Sequence, residues 1–350
     1  MPPSWTVWES SMNNRYTAAL VGCGRIGYSL GLDKKREQPA SHTMALLDNP
    51  RIQLVAGCDT DLQMLRIWHE ANKKAAVYQS SSELYNWQRP DIVTVAVNEK
   101  SHKEEAIAAI KAHPKLVILE KPVALNTAEA EVIQAVADEH KVPVLINHER
   151  RFGEDYRAAK VYLPKIGEVQ SIRGGLFSSM CVYNPAEENS GAYSLIHDGT
   201  HLVDAIEFFL DDERLSNPVI TGLLHDKKAC VRQFSAHYMT SLCPDVTIFM
   251  SGRSRYFGFE IEITGTEGRI CIGNSYLKLY KRGESPLYTG FYSLLNDRAS
   301  HLPKKVLYFP NMIQNAVDFL DGKAELQSTI KTGMQDLAVL EEMKEKIGLV

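Results

Sequence analysis

Three glycines near the start of the chain are spaced for binding a dinucleotide. Residues 22–27 read G-C-G-R-I-G, a G-x-G-x-x-G pattern that follows the strand-like run Tyr16–Val21 and opens a predicted helix. The first glycine permits a tight turn, the second lets backbone approach a pyrophosphate, and the third lets helix pack closely on strand. Free amides at the helix start would face the phosphates. The predicted cofactor contacts here are Gly22, Gly24, Arg25, Ile26 and Gly27.

An acidic residue ends the second strand-like run, residues 53–58. Asp59 can accept hydrogen bonds from both ribose hydroxyls of NAD, and its charge repels the 2′-phosphate of NADP. No arginine follows at once, so we expect NAD rather than NADP. Asp59 lies 32 positions after Gly27, whereas about 20 is usual. The excess is expected in a charged, proline-containing insert, residues 30–41.

A lysine directly follows a predicted strand, at the edge of the sheet where parallel sheets bind their ligands. Glu120, Lys121 and Pro122 follow the apolar run Leu116–Leu119, and doubly wound sheets bind ligands outside the carboxyl ends of their strands. An ammonium at that edge can stabilise negative charge that develops on a substrate oxygen. Lys121 is therefore a candidate catalytic residue.

A second candidate group lies on the helix predicted over residues 197–210. His197 and His201 are four positions apart and so share one helical face, with Asp198 and Asp204 nearby. A positioned imidazole can take a proton from a hydroxyl, or return it, near neutral pH. The same pair could hold a metal ion, but no third ligand stands out, so no metal site is predicted.

The first half of the chain alternates apolar runs with helical patterns. The strand-like runs are Tyr16–Val21, 53–58, 91–97, Leu116–Leu119 and 142–146. Continuous apolar runs of this length are typical of parallel strands buried on both faces. A capping box at Ser101 and Glu104 and a helical stretch over 127–139 lie between them. We therefore predict an α/β Rossmann domain, a doubly wound parallel sheet, over residues 1–147, with 1–14 as a loose extension.

The second half of the chain has a different order of predicted strands and helices. Its strand-like runs are 170–180, 219–224, 229–241, 247–252 and 257–274, and its helical patterns are 197–210, 311–320 and 328–347. This order predicts an α+β domain over residues 148–350, with an open, mostly antiparallel sheet, for substrate binding and oligomerisation. The last helix has apolar residues three or four apart, and we expect its buried face to pack back towards the first domain.

The chain resembles the glucose-fructose oxidoreductase/inositol dehydrogenase family (Gfo/Idh/MocA type). Four stretches carry the likeness: AALVGCGRIG (18–27), VNEKSHKEE (97–105), LVILEKPVAL (116–125) and GAYSLIHDGTHLVD (191–204). Weaker echoes are residues 148–160, residues 263–272 and the closing helix. The Glu-Lys-Pro motif with a downstream G-x-H-x-x-D is quite specific to that family.

The resemblance implies a nicotinamide-dependent oxidoreductase acting on a sugar, an inositol or a nucleotide-linked sugar. It implies that Lys121 contacts both the nicotinamide region and the reacting oxygen, and that His201 is the acid/base residue. By family position, the further cofactor contacts are Val97, Asn98, His102 and Glu120. The further substrate contacts are Arg151, Tyr193, His197 and Asp198.

The chain departs from the family pattern at the substrate site. The family usually has an acid four residues before the catalytic histidine, but here that position is His197 and the acid, Asp198, is shifted by one. One helical position turns a side chain by about 100°, so Asp198 cannot simply replace it. His197 thus joins Lys121 and His201 as a candidate catalytic residue. Two other functions stay open: an NAD-retaining lyase or hydrolase with transient oxidation, and a catalytically silent NAD-binding sensor or regulatory protein.

Composition and charge narrow the classes of partner. The net charge is −4, which gives no case for nucleic acid. No apolar run approaches the roughly 18 residues that span a bilayer, and the first residues do not form a signal peptide. Six cysteines without a C-x-x-C pair indicate free thiols in a cytoplasmic protein. An uncovered sheet face in the second domain, together with the family resemblance, predicts a homodimer or homotetramer.

Overall fold

The chain divides into two compact units in a computed structural model that describes residues 15–274, 276–298 and 303–348. The first unit holds the described residues up to Glu120, together with Val132–Asn147 and Phe309–Gln327. The second holds Lys121–Glu131, His148–Tyr308 and the described residues from Ser328 onward. The extension predicted over residues 1–14 lies outside the described residues.

This division assigns residues 309–327 to the first unit, although the predicted boundary put them in the second domain. The reason is a set of polar contacts made by Asp321. Its carboxylate accepts a hydrogen bond of 2.8 Å from the Tyr16 hydroxyl and pairs with the Arg51 guanidinium at 2.9 Å. Both partners flank strands of the first unit, so they fix this segment there.

The first unit is built on a parallel sheet, which confirms the predicted Rossmann-type fold. Its six strands are β1 Tyr16–Val21, β2 Ile52–Cys58, β3 Ala76–Tyr78, β4 Ile92–Val95, β5 Leu116–Leu119 and β6 Val144–Ile146. They lie in the order β3-β2-β1-β4-β5-β6. The central strands β1, β4 and β5 are almost entirely buried, as their continuous apolar runs require.

Strand register brings the predicted site residues to one edge of that sheet. Val21, at the end of β1, pairs with Cys58 on one side and Val95 on the other. Val95 in turn pairs with Leu119, which ends β5. Because parallel strands end at the same edge, the residues that follow them emerge together. The glycine turn, Asp59 and Glu120 therefore share the carboxyl edge of the sheet.

Helices connect the strands of the first unit. They are α1 His42–Asp48, α2 Leu62–Ala71, α3 Ser81–Trp87, α4 His102–Lys111 and α5 Thr127–His140. The capping box predicted at Ser101 is wrong, because the Ser101 side chain makes no capping hydrogen bond. A 3₁₀ turn over Glu99–Ser101 leads into α4, so Ser101 has φ −106° and ψ 1° instead of the extended backbone that a capping residue needs.

The second unit is an α+β fold on one eight-stranded sheet, as predicted. Its strands are β7 Val169–Phe177, β8 Val219–His225, β9 Val231–Tyr238, β10 Val246–Ser251, β11 Gly258–Gly265, β12 Gly268–Gly273, β13 Tyr276–Glu284 and β14 Tyr292–Asn296. The order is β14-β13-β12-β11-β7-β10-β9-β8. Among the described strands of this second sheet, only the β7–β10 pair is parallel, and the other neighbours are antiparallel. The sequence had indicated neither β13 nor β14.

The other helices are α6 Glu149–Phe152, α7 Glu154–Tyr162, α8 Ser194–His197, α9 Gly199–Phe209, α10 Tyr308–Leu320 and α11 Ile330–Lys346. Helix α9 packs on one face of the sheet at Gly174, where a Cβ would lie 2.9 Å from the Leu202 side chain and 2.8 Å from that of Ile206. Alternation along β12 separates the faces, because Ile270 and Ile272 are buried whereas Arg269 is half-exposed.

The opposite face of the sheet is open among the described residues. A cavity of about 320 Å³ lies on it, lined in part by Arg173, Phe177, Phe249, Glu260 and Glu262. None of the helices in the described part of the chain combines the length and the apolar character that a bilayer-spanning helix requires.

Candidate functional site

The sequence predicts that the glycine turn opens a helix, but the structure shows no continuous α-helix directly after it. Residues 24–28 form turns and Ser29–Leu32 a 3₁₀ helix, after which the chain leaves the helical path. The helix resumes at α1, where the amides of His42 and Thr43 donate to the carbonyls of Ile26 and Gly27 at 3.1 and 2.9 Å. These partners are sixteen positions apart instead of four, so twelve residues are looped out. The predicted insert, residues 30–41, has this length and this place.

The three glycines of the motif are needed for different reasons. Gly22 has φ +97°, and a Cβ there would lie 2.4 Å from the Ala96 carbonyl oxygen; at Gly27 a Cβ would lie 2.0 Å from the Gly22 carbonyl oxygen. Gly24 differs, because nothing lies within 4 Å of the position of its missing Cβ. Packing within the described protein thus does not require glycine at position 24. The open space there fits the backbone approach of a cofactor pyrophosphate.

Asp59 is bound to the glycine turn at the end of β2. One carboxylate oxygen accepts the Cys23 amide at 2.8 Å, and the other accepts the Asp61 amide at 2.8 Å. Asp59 is half-buried, so each oxygen keeps lone pairs for a further donor. The residue is held where a ribose beyond the turn would meet it. In the same turn Arg25 is exposed and Ile26 half-buried.

The segment after β4 places its predicted contacts in a short connection. Val97 is half-buried and Asn98 is exposed. His102, in the first turn of α4, is buried, and its Nε2 lies 3.1 Å from the Val97 carbonyl oxygen. His102 therefore holds the Val97 main chain in place. This contact suits a role in which His102 fixes the conformation of the segment between β4 and α4.

Glu120 lies in a buried polar cluster that the sequence did not reveal. Only 5% of it is exposed, and its Oε1 lies 2.6 Å from His42 Nε2 and accepts from Asn147 Nδ2 at 2.6 Å. His42 is the first residue of α1, so the cluster connects the glycine turn with the ends of β5 and β6. The one available signal was a histidine directly after the insert.

Lys121 is placed by the second unit's own residues. Its Nζ donates a hydrogen bond of 2.7 Å to the main-chain carbonyl of His197, the last residue of α8. A carbonyl is a neutral acceptor, so this contact fixes the ammonium while leaving its charge uncompensated by that partner. Lys121 is half-buried, which leaves part of the side chain accessible.

His201 lies in the first turn of α9, within the electrostatic influence of that ammonium. Burial and the positive charge of Lys121 hold the pKa of His201 well below its ordinary value, and Arg150 adds to the effect. The imidazole is therefore neutral at neutral pH. Its Nδ1 is buried and has no hydrogen-bond partner among the described atoms, while 9% of the residue remains exposed.

His197 and His201 are not on one continuous helix, so that premise of the prediction is wrong. α8 ends at His197 and α9 begins at Gly199, with Asp198 between them at φ −103° and ψ −23°. His197 is nevertheless near enough that its charge helps to lower the pKa of His201. Both His197 and Asp198 are half-buried.

Two other predicted substrate contacts are buried. Tyr193 precedes α8, packs edge-on against Tyr183 and is 3% exposed; burial raises its pKa to about 12. Arg151 pairs with Asp204 at 2.6 Å and with Asp212 at 2.7 Å. Arg151 therefore already has two carboxylate partners within the protein. This pairing favours a structural role for its guanidinium.

A second buried cluster surrounds Asp204. His148 Nδ1 lies 2.9 Å from the Asp204 carboxylate, and His148 Nε2 lies 3.2 Å from Asp336 of α11. Although burial opposes the change, Arg151 and His148 lower the pKa of Asp204, whereas burial and the Asp204 charge raise that of Asp336 well above its ordinary value. The two carboxylates are thus shifted in opposite directions, and Asp204 is the one that its neighbours favour in the ionised form.

Comparison with known proteins shows what the first part of the chain is similar to. Residues 16–148 match the Gfo/Idh/MocA description "Oxidoreductase family, NAD-binding Rossmann fold", in agreement with the parallel sheet and the glycine turn.

Residues 16–148 match the NAD-binding domain of the Gfo/Idh/MocA family of oxidoreductases.

Two curated relatives illustrate the range of this family. The chain is 23% identical over 282 residues to a D-apiose dehydrogenase from Paraburkholderia graminis, covering 77% of this chain and 70% of the relative. It is 29% identical over 201 residues to a protein from Amycolatopsis mediterranei that carries the name of a UDP-kanosamine synthase oxidoreductase subunit. That match covers 55% of this chain and 51% of the relative, so the chain spans about half the length of this second protein.

A solved structure extends the likeness over nearly the whole chain. The WlbA dehydrogenase from Bordetella pertussis, described in complex with NADH and UDP-GlcNAcA, has a TM-score of 0.74 at 18% identity. The match covers 95% of this chain and 96% of that one. At this identity the likeness shows a shared fold alone, and it includes the second unit.

Proposed function

We propose that the protein is an NAD-dependent dehydrogenase or reductase that acts on a hydroxyl-bearing carbon of a sugar, an inositol or a nucleotide-linked sugar. The observation that carries the proposal is the pairing of a lysine ammonium with a buried, neutral imidazole, Lys121 and His201. Alcohol oxidation needs both groups, one to stabilise the oxygen and one to accept its proton. The match of residues 16–148 to the NAD-binding domain of this family supports the cofactor half of the proposal.

His201 serves as the base in the direction of oxidation. A base must be unprotonated before it can act, and the lowered pKa of His201 meets this requirement at neutral pH. In reduction the imidazolium returns the proton to the new hydroxyl. Because Nδ1 is buried, the proton would be exchanged at Nε2.

Lys121 polarises and orients the substrate oxygen. The hydrogen bond to the His197 carbonyl directs the ammonium, which would also donate to the oxygen on which negative charge develops. Bound NAD supplies the hydride acceptor at its nicotinamide ring. We assign His197, Asp198 and Tyr193 to the substrate region because they adjoin this pair, and Arg151 to its support.

The cofactor is held by residues of the first unit. Gly22, Gly24 and Gly27 form the turn, and Arg25 and Ile26 lie within it. Further contacts come from Val97, Asn98, His102 and Glu120 by family position; in the structure His102 and Glu120 bind protein groups, which gives them a positioning role. Asp59 favours NAD over NADP because a carboxylate bonds ribose hydroxyls and repels a 2′-phosphate.

We further propose that the protein forms a homodimer or homotetramer through the open face of the second unit's sheet. Exposed apolar and aromatic side chains lie on its outer strands, among them Leu223, Leu224, Tyr276, Tyr292 and Leu294. Uncovered apolar surface of this kind usually finds a partner. Light scattering on the purified protein tests this; a monomer at micromolar concentration contradicts it.

A panel of sugars, inositols and nucleotide-linked sugars tests the activity. Steady formation of NADH with one of them supports the proposal. Substrate turnover without net NADH would indicate an NAD-retaining lyase or hydrolase. Tight NAD binding without turnover, unaffected by Lys121→Ala, would indicate a sensor or regulatory protein.

A further inference from the structure

Three potential metal ligands from two separate segments meet in the second unit. They are Cys181, between β7 and α8, and Asp226 and Cys230, in the turn that joins β8 to β9. The two sulfurs and a carboxylate oxygen all lie within 4.8 Å of one another. We call these three residues the Cys₂Asp cluster.

The main chain holds the two segments of the Cys₂Asp cluster together. The Val182 amide donates to the Val231 carbonyl at 2.9 Å, and the Val231 amide donates to the Tyr183 carbonyl at 2.9 Å. These residues adjoin the cysteines, so the sulfurs are brought together by paired backbone.

The β8–β9 turn is itself closed around Asp226. Its main-chain amide donates to the Cys230 carbonyl at 2.9 Å, and its carboxylate Oδ1 accepts the amides of Lys228 and Cys230 at 2.8 and 3.1 Å. The carboxylate is thus held over the turn before any ligand arrives. Asp226 is exposed, so solvent can reach the cluster.

The guanidinium of Arg232 adjoins the cluster and reduces its net negative charge. Arg232 donates from Nη1 to the Cys181 sulfur at 2.8 Å and from Nη2 to the Gly252 carbonyl at 2.8 Å. When both cysteines lose their protons to ligate a metal ion, two thiolates, one carboxylate and one guanidinium carry a net charge of about −2, which a divalent cation would neutralise. A donor to a ligating sulfur also orients that ligand.

We propose that Cys181, Asp226 and Cys230 bind a zinc ion, with the fourth tetrahedral position open to water. Thiolate ligands select soft or borderline cations over magnesium and calcium, and two sulfurs with one carboxylate fit tetrahedral zinc. Asp226 distinguishes this site from a simple thiol pair, because a disulfide would have no use for a carboxylate converging on the sulfurs.

The sequence had indicated no metal site, for a reason that the fold makes plain. Cys181 is 45 positions before Asp226, and no C-x-x-C pair is present. Antiparallel pairing at Tyr183 and Val231 brings the ligands together, and local spacing could not show this.

The cluster also adjoins the helix that positions Lys121. The Cys181 carbonyl accepts the Ser194 amide at 3.0 Å, and Ser194 is the first residue of α8. A bound ion would therefore help to hold the start of that helix. The proposal concerns metal binding itself and does not depend on the proposed oxidoreductase activity.

The test is metal analysis of the full-length protein, purified under reducing conditions without a metal-binding tag. Plasma mass spectrometry should find about one zinc per chain, or the chelator-treated protein should take up about one equivalent. Cobalt(II) added to the treated protein should give the sulfur-to-metal charge-transfer band of two thiolates. Absence of zinc together with absence of this band overturns the proposal, and the cobalt spectrum needs no variant to fold.

Single substitutions test whether these three residues are the ones that bind the ion. Cys181→Ser and Cys230→Ser should each abolish stoichiometric binding, and Asp226→Asn should weaken it at least about tenfold. Cys271→Ser is the control, because the Cys271 sulfur also lies 3.7 Å from a carboxylate, that of Glu262, but outside the cluster. Equal zinc in Cys181→Ser, or a Cys181–Cys230 disulfide in the reduced preparation, would contradict the site.

Discussion

The ammonium of Lys121 donates a hydrogen bond of 2.7 Å to the main-chain carbonyl of His197. This contact fixes the lysine without neutralising it, and burial together with the lysine charge holds the pKa of His201 well below its ordinary value. In the proposed mechanism this cation would stabilise the substrate oxygen and would also help to keep the base that deprotonates it neutral.

Replacing Lys121 should impair chemistry far more than cofactor binding. In Lys121→Ala we expect kcat to fall by about 10²- to 10³-fold, because a preorganised charge at the oxyanion is lost. The dissociation constant for NAD should change little, since the glycine turn and Asp59 belong to the other unit. Steady-state kinetics and calorimetric NAD titration measure the two effects. Undiminished activity would remove Lys121 from the mechanism.

The pH dependence of oxidation should follow the lowered pKa of His201. The base acts when neutral, so kcat/KM should stay level as pH falls through 6.5, the ordinary value, and decline only in more acidic solution. In Lys121→Met the pKa should rise, because one of the two main causes of its lowering is gone. The acid limb of the residual activity should then move to higher pH, although Arg150, His148 and His197 keep part of the effect. An unmoved limb would contradict the coupling.

Asp59 should control the choice of nicotinamide cofactor. Asp59→Asn keeps an acceptor for the Cys23 amide but removes the charge, so NAD should weaken by about tenfold, and NADP less or not at all. Asp59→Ala should weaken NAD further, because the glycine turn also loses its partner. Kd values for both cofactors provide the measurement. A wild-type preference for NADP would contradict the ribose assignment.

Deleting residues 30–41 should leave a folded first unit. The amides of His42 and Thr43 already bond to the carbonyls of Ile26 and Gly27, so joining Ser29 to His42 would continue α1 in register. We expect a cooperative unfolding transition with a midpoint within about 5 °C of wild type. Loss of that transition would show that the insert is part of the core. Activity of the folded deletion variant would then report what the insert contributes to catalysis.

Glu207 should make the protein less stable in mildly alkaline solution. Burial raises its pKa to about 8, above the ordinary 4.5, so the folded state binds a proton that the unfolded state has released. The free energy of unfolding that the protonated Glu207 contributes is complete below pH 4.5. It declines as the pH rises towards 8, by at most about 1.4 kcal/mol per pH unit. Glu207→Gln keeps an acceptor for the Leu215 amide. Its unfolding midpoint should therefore vary less between pH 5 and 8 than that of wild type; an identical slope would contradict the assignment.

The sequence was most informative where one feature dominates a segment. Continuous burial on both faces made β1 and β5 recognisable at their observed bounds. β3, only three half-buried residues long, carries no such signal, and β14 alternates without a fully buried position. The 12-residue insert was recognisable because the distance from Gly27 to Asp59 is a property of the sequence alone.

The candidate site was only partly predictable for a related reason. Lys121 and His201 follow from motifs, but their electrostatic coupling depends on burial and on the break between α8 and α9 at Asp198. His42 contacts Glu120 across 78 positions of the sequence. Arg151 was predicted as a substrate contact, and its two carboxylate partners lie 53 and 61 positions away. Contacts at such separations are set by packing.

Transfer of a labelled hydride tests the proposed chemistry most directly. The protein is incubated with NAD and a sugar or inositol from the panel that carries deuterium on the reacting carbinol carbon, and the cofactor is analysed by mass spectrometry. We expect deuterated NADH in amounts equal to the oxidised product, and its loss in His201→Asn. Product formed with unlabelled NADH, or with no NADH at all, would contradict direct hydride transfer from carbinol to nicotinamide.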